Sequence, residues 1–225
     1  YVDADDYLSP GVLGRLTQIM DRERLDMLCF DMAGVDEHGG DLPLWSDGLF
    51  ARGGGEVQSG RDFLRRDCFL PMACAYVYDR TMLERHGLGM LPMRHEDEEF
   101  TPRMLLQAQR VVLTGQEIYD YDNCRAGSIT HAEGLSTRRV QDRLRIYDSL
   151  AEIYHTVTPR ALRRRLQDDL CWKYLDCAAR FDCSTLPGYR PQRLRMLQFA
   201  CTPRRRAKAA LFALSPELFR RVMNH

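Results

Sequence analysis

The sequence predicts an α/β body followed by a helical extension, and three observations predict it. Over residues 1–135, short apolar or aromatic runs alternate with helix-like segments and with Gly- or Pro-containing turns. From Ser136 onward the apolar residues recur at helical spacing. The charge reverses at the same place. Residues 1–135 carry 13 Lys+Arg against 24 Asp+Glu, and residues 136–225 carry 19 against 8, so −11 and +11 cancel in a chain of 225. This predicts a boundary near Gly134–Ser136 and a different partner for each half.

Taken in order, Tyr1-Val2 reads as the end of a strand, because the acids Asp3, Asp5 and Asp6 that follow are disfavoured in strand interiors. Ser9-Pro10 is a helix start, an N-cap followed by Pro at the first helical position, for a helix through Leu13, Leu16 and Met20. Leu25–Phe30 is the next strand. Residues 36–60, with Gly39-Gly40, Pro43 and Gly53–Gly55, suggest an irregular hairpin or a flap. Gly53–Gly55 lacks the Gly-Lys-Ser/Thr ending of a phosphate-binding P-loop.

Ser59 can cap a helix through Phe63 and Leu64, Ala73–Tyr78 is strand-like, and Thr81–Arg85 is a short helix closed by Gly87. Tyr76 and Tyr78 suit core packing or an acceptor-facing wall. The run from Pro102 to Gln109 has helical composition, with the acids before it at its start. Val111–Leu113 and Glu117–Tyr121 read as two strands. After Ser136, Val140, Leu144, Tyr147, Leu150, Ile153 and Tyr154 form one apolar stripe, ended by Pro159. A second helix carries Leu162, Leu166, Leu170 and Tyr174. Pro187-Gly188 and Pro191 mark a loop before helices at Arg193–Ala200, Arg204–Leu214 and from Ser215-Pro216-Glu217.

No apolar run approaches the ~20 residues of a membrane span. None of the eight cysteines forms Cys-x-x-Cys or a zinc-type Cys/His spacing, so reduced and mostly buried thiols are expected, as in a cytoplasmic protein.

Two acidic clusters carry the chemistry. Asp3, Asp5 and Asp6 repel one another unless a proton or cation lies among them, and hard oxygen ligands suit Mg²⁺ or Mn²⁺ with substrate phosphates. A solvated turn is the plain alternative. The second cluster is His95-Glu96-Asp97-Glu98-Glu99-Phe100, which also serves simply as helix-start chemistry. A third segment, Tyr119 to Thr130, leaves a strand into a turn with Arg125, Gly127 and Ser128.

The order of "VDADDYLSPG", "AYVYDRTMLERHG", "HEDEEF" and "IYDYDNCRAGSIT" resembles the family 2 glycosyltransferases, of the bacterial, non-processive type that builds surface polysaccharides. The resemblance runs from Tyr1 to about Thr130 and implies a partial GT-A (Rossmann-like) fold over 1–135, followed by a basic helical extension over 136–225. It implies inverting transfer from a nucleotide-sugar donor to a saccharide or lipid-linked acceptor in the cytoplasm, peripheral to the inner membrane. By that resemblance Asp3, Asp5 and Asp6 hold Mn²⁺ or Mg²⁺ and the diphosphate, and Asp97 is the general base. Glu96, Arg125 and Ser128 contact substrate. The family's usual "VSVIIPVYN"-like opening does not precede Tyr1, so the chain is expected to be the C-terminal part of a longer transferase, inactive without its base-binding half.

The neighbours Glu96, Glu98 and Glu99 raise the affinity of Asp97 for a proton, while the helix dipole lowers it; the net direction is not readable from sequence. His95 is a candidate beside the cluster. The basic run Thr202–Phe212, with Arg204, Arg205 and Arg206, suits either an anionic inner-membrane surface or a solvated helix face. It carries no nucleic-acid motif. Two other classes are open: a non-catalytic membrane-peripheral or partner-binding remnant of a transferase, and a metal-dependent phosphohydrolase.

Overall fold

The computed structural model describes residues 1–4, 6–36, 40–43, 55–66, 71–122 and 136–224, without the side chains of residues 116, 117 and 122. Two compact units emerge. One comprises Tyr1–Leu91 with Phe100–Glu133, and the other comprises Pro92–Glu99 with Gly134–His225.

The first unit is built on a mixed sheet. β2 (Met27–Val35) runs parallel to β5 (Val111–Asp122); β2 is buried along most of its length, and β5 at Val111–Leu113 and at Ile118 and Tyr119. Three short strands join them antiparallel: β1 (Tyr7–Leu8) on β5, and β3 (Asp41–Leu42) and β4 (Tyr76–Tyr78) on β2. Their order is β1-β5-β2-β3, with β4 also on β2. Apolar residues on successive positions of β2, from Met27 to Phe30, fit a strand buried on both faces.

Four differences from the sequence reading stand out in this unit. Residues 1–4 lie in no strand, and Val2 is 52% exposed; the strand residues Tyr7 and Leu8 follow the acids instead. The reason is a competing partner: the Tyr119 hydroxyl takes the Asp3 N–H, and the Asp6 N–H donates to the Asp3 carbonyl, so this backbone is satisfied without a ladder. Helix α1 (Val12–Glu23) starts after Gly11, which sits at φ 72, and not at Ser9-Pro10. Ser9 Oγ is occupied with the Ile118 carbonyl at 3.2 Å.

Third, Val111–Leu113 and Glu117–Tyr121 are one strand. The register against β2 slips between Phe30 and Asp31, where Gly115 and Gln116 form the extra length of a bulge. Fourth, helix α4 (Glu96–Gln107) begins at the acidic cluster itself, so Pro102 lies in its interior. The division between the two units also falls within α4.

Other elements match. Ser59 caps α2 (Gly60–Arg66), accepting from the Asp62 N–H at 3.1 Å and donating to its carboxylate at 2.7 Å. Gly60 is required there, because a Cβ would meet the Leu105 carbonyl oxygen at 2.1 Å. Asp79 caps α3 (Arg80–Arg85), and Gly87 follows it at φ 58. Ala73–Ala75 form a 3-10 turn, so only Tyr76–Tyr78 of the expected strand is β. Tyr76 is buried, and Tyr78 stacks edge-on against Tyr1 and Phe100.

The second unit is helical: α5 (Thr137–His155), α6 (Arg160–Arg180), α7 (Arg193–Phe199), α8 (Pro203–Leu214) and α9 (Pro216–Met223). Side-chain caps start three of them, Ser136 on α5, Thr202 on α8 and Ser215 on α9. Leu162, Leu166, Leu170 and Tyr174 are all buried, as are Val140, Tyr147, Leu150 and Tyr154 from the α5 stripe. Residues 92–99, which the sequence groups with the first domain, join this unit because their backbone and carboxylates bond to α5 and α6. The six described cysteines are free, and all but Cys201 are buried. No described helix is long and apolar enough to cross a membrane.

Candidate active site

Two groups of acids are positioned by different means. In the sheet unit, Tyr119 sits fully buried on β5 and its hydroxyl organises the N-terminal acids. It accepts from the Asp3 N–H at 3.0 Å and donates to Asp6 Oδ2 at 2.7 Å. Burial holds the Tyr119 phenol protonated far above its usual range, so it remains a donor. Cys74 is pushed up to about 12, by burial first and then by Asp3 and Asp6. Asp3 is exposed and Asp6 partly so. Asp5, Arg125 and Ser128 lie outside the described residues, as do Gly53 and Gly54.

Among the described residues no three His, Cys, Asp or Glu side chains form a group able to hold a metal ion. The donor chemistry of Asp3 and Asp6 fits a hard divalent cation, with Asp6 already lending one oxygen to Tyr119. A cleft of about 700 Å³ opens in the same unit, walled by Tyr1, Leu13, Phe30, Tyr76, Tyr78 and Leu88.

In the helical unit the second cluster is built at the start of α4. Asp97 is half-buried, and its Oδ1 accepts the Glu98 N–H at 2.9 Å. No cation pairs with this carboxylate among the described residues; backbone N–H groups alone oppose its burial. Two of the neighbouring acids have partners: Glu98 lies 3.9 Å from Arg143 Nε and 4.0 Å from Lys173 Nζ, and buried Glu99 accepts from Ser149 Oγ at 2.9 Å. The Arg94 N–H reaches Asp142 on α5 at 3.5 Å.

Burial, then the Glu96 and Glu98 charges, push the Asp97 carboxyl up to about 7, against the pull of the Glu98 and Asp97 backbone N–H groups. Desolvation and like charge thus outweigh the helix start. A carboxylate poised there changes protonation state near neutral pH, as a general base requires.

Glu96 is the first residue of α4 and partly exposed. His95 precedes it with a left-handed backbone at φ 61, and its buried Nε2 has no hydrogen-bond partner among the described residues. Burial and then Arg143 lower its proton affinity, against the pull of Glu98 and Glu96. Sequence reasoning missed Tyr119, Ser149, Arg143 and Lys173. Only Tyr119 had a local signal, its place inside the acidic "YDYD" run; the others depend on how α5 and α6 fold back.

The basic run is largely exposed, Arg204 and Arg206 included, but two of its three arginines are engaged within the chain. Arg205 bonds the Asp168 carboxylate and, at 2.7 Å, its carbonyl, and Arg206 bonds the Ala200 carbonyl at 3.3 Å.

No protein-family model matches the chain, and no curated protein matches it. Solved structures do. S. aureus TarS 1–349 in complex with UDP-GlcNAc matches with a TM-score of 0.62 at 14% identity, over 99% of this chain and 65% of that one. The same protein in complex with UDP matches at 0.63 and 14%, over 99% and 64%. A longer TarS structure matches at 0.62 and 15%, over 99% of this chain and 39% of that chain. The chain therefore spans less than two thirds of the length of the structures it resembles. The likeness establishes the fold: an α/β glycosyltransferase fold of the GT-A type with a helical C-terminal part.

Proposed function

We propose that this chain is the catalytic part of a family 2, inverting glycosyltransferase that moves a sugar from a nucleotide-sugar to a saccharide or lipid-linked acceptor in surface-polysaccharide synthesis. The observation that carries the reading is Asp97, a half-buried carboxyl pushed up to about 7 with no cation paired to it among the described residues, in a fold shared with a protein solved with UDP-GlcNAc and with UDP. A UDP-sugar is accordingly the donor.

In this reaction Asp97 takes the proton of the acceptor hydroxyl as that oxygen bonds to the anomeric carbon. The bond from that carbon to the diphosphate oxygen breaks, and inversion results from attack on the opposite face. A base so placed contributes about 10²–10⁴-fold. Its raised proton affinity matches that role, because a carboxylate of ordinary basicity draws the hydroxyl proton more weakly.

Asp3, Asp5 and Asp6 would hold Mn²⁺ or Mg²⁺ and through it the diphosphate. The cation supplies charge neutralisation to the leaving group. Tyr119 holds the Asp6 carboxylate and the Asp3 backbone through one hydroxyl. Glu96, Arg125 and Ser128 are assigned to substrate contact, Arg125 because a guanidinium matches phosphate. The protein acts on the cytoplasmic side, peripheral to the inner membrane.

The test is sugar transfer from UDP-GlcNAc by the longest polypeptide that carries this sequence, with chelator and with Mn²⁺ restored. The reading expects metal-dependent product that is lost in Asp97→Asn and in Asp5→Ala. Undiminished product in either variant removes that residue's role, and phosphate release from simple esters points to a hydrolase instead.

A further inference from the structure

One face of α5 presents Gln141, Leu144, Arg145 and Asp148, the spacing of neighbours along a single helix face. Opposite runs the segment 186–192, Leu-Pro-Gly-Tyr-Arg-Pro-Gln, and between them lies a groove of about 490 Å³, the size of a small-ligand site.

The segment is fixed before any ligand arrives. Gly188 turns it at φ 72, and the Tyr189 N–H donates to the Leu186 carbonyl at 3.2 Å. The hydroxyl of buried Tyr174 holds both the Tyr189 hydroxyl, at 3.0 Å, and the Gln192 N–H, at 3.1 Å. Pro187 and Pro191 restrict the remaining freedom.

The polar lining is unbalanced. Asp148, its acid, is engaged at Oδ1 by Arg195 Nη1 at 3.2 Å and by the Gln192 amide. Arg190 is exposed, and neither it nor Gln141 makes a side-chain hydrogen bond or ion pair among the described residues. Arg145, 72% exposed, has only a 3.8 Å pairing to Asp142. Two guanidiniums and an amide therefore line a groove that offers them little acceptor capacity, in a half of the chain whose net charge is +11.

We propose that this groove binds an acidic saccharide, a sugar chain carrying carboxylate or phosphate groups. The guanidinium forks of Arg145 and Arg190 match those anions, Gln141 matches a hydroxyl, and the Tyr189 ring offers an amphipathic surface to a sugar ring. The saccharide component rests on the transferase reading; the anionic component rests on the groove alone.

Isothermal titration calorimetry with tetragalacturonate, neutral maltotetraose and inorganic phosphate tests it, on the wild-type chain, the double variant Arg145→Gln/Arg190→Gln and Asp97→Asn. Tetragalacturonate is expected to bind the wild type and Asp97→Asn alike, and to bind the double variant at least about tenfold more weakly, at an unchanged melting temperature. Maltotetraose and phosphate are expected to bind wild type at least about tenfold more weakly than tetragalacturonate. No binding of tetragalacturonate, equal binding by the double variant, or phosphate binding as tight as the oligosaccharide overturns the proposal. Since no donor or turnover enters the readout, groove binding in a chain that never transfers sugar removes the transferase reading alone. Transfer without groove binding removes the groove alone.

Discussion

The two acidic clusters are similar in composition and opposite in electrostatics. Asp3 is exposed and Asp6 partly so, and a buried neutral phenol, Tyr119, bonds to both. The acids at the start of α4 are drawn into a helical unit, where Glu98 and Glu99 find a cation pair and a serine, and Asp97 has backbone N–H groups but no cation among the described residues. The first cluster is tied to the sheet through one hydroxyl and leaves Asp3 in solvent. The helix-start cluster concentrates desolvation on one carboxyl and makes it basic. Sequence composition cannot distinguish the two, because the difference lies in what packs around them.

The largest expected effect breaks the comparison at the base. Asp97→Asn is predicted to lower transfer by about 10²–10⁴-fold while UDP-sugar binding, followed by calorimetry, stays within a few-fold of wild type. In the wild type, transfer is predicted to rise with pH through about 7, as Asp97 loses its proton.

The next effect is thermodynamic and runs the other way. The folded state keeps the Asp97 proton up to about 7, whereas the unfolded chain releases it near 3.8. Between those values the native state binds more protons, so wild-type stability falls as pH rises. Asn does not titrate. Urea denaturation of Asp97→Asn should therefore show a gain of ~2 kcal/mol over wild type at pH 8 and none at pH 3, short of the full linkage value because the carboxyl is only half-buried. A residue that weakens the fold at working pH while supporting turnover has the signature of a functional group.

Tyr119→Phe sharpens the other side. It removes the hydroxyl shared by Asp3 and Asp6, and is predicted to cost about 1 kcal/mol and to speed hydrogen exchange at the Asp3 amide. Unchanged exchange would show that the acids are ordered by something else. Smallest is Ser149→Ala, which leaves buried Glu99 short of one donor; about 0.5–1 kcal/mol is expected in denaturation.

The helical half was the more legible. Caps such as Ser136, Thr202 and Ser215, and the apolar spacing of Leu162, Leu166 and Leu170, are local signals, and local signals set those elements. The sheet half was harder wherever a distant side chain competed with local preference. Tyr119 took the backbone that would have placed Val2 in a strand, and Ile118 took the hydroxyl that would have capped α1. Gly115 reads locally as a break, yet β2 carries β5 through it as a bulge. At the site, the acids themselves were visible. The sign of the Asp97 shift was not, because it depends on burial, which no local pattern encodes.

Carbon NMR of the chain labelled at the aspartate carboxyls, followed as a function of pH, reads the central claim directly. One resonance with a midpoint near 7, absent from the spectrum of Asp97→Asn, is the predicted result. If every aspartate titrates in the ordinary range near 4, Asp97 is not the base and the account fails.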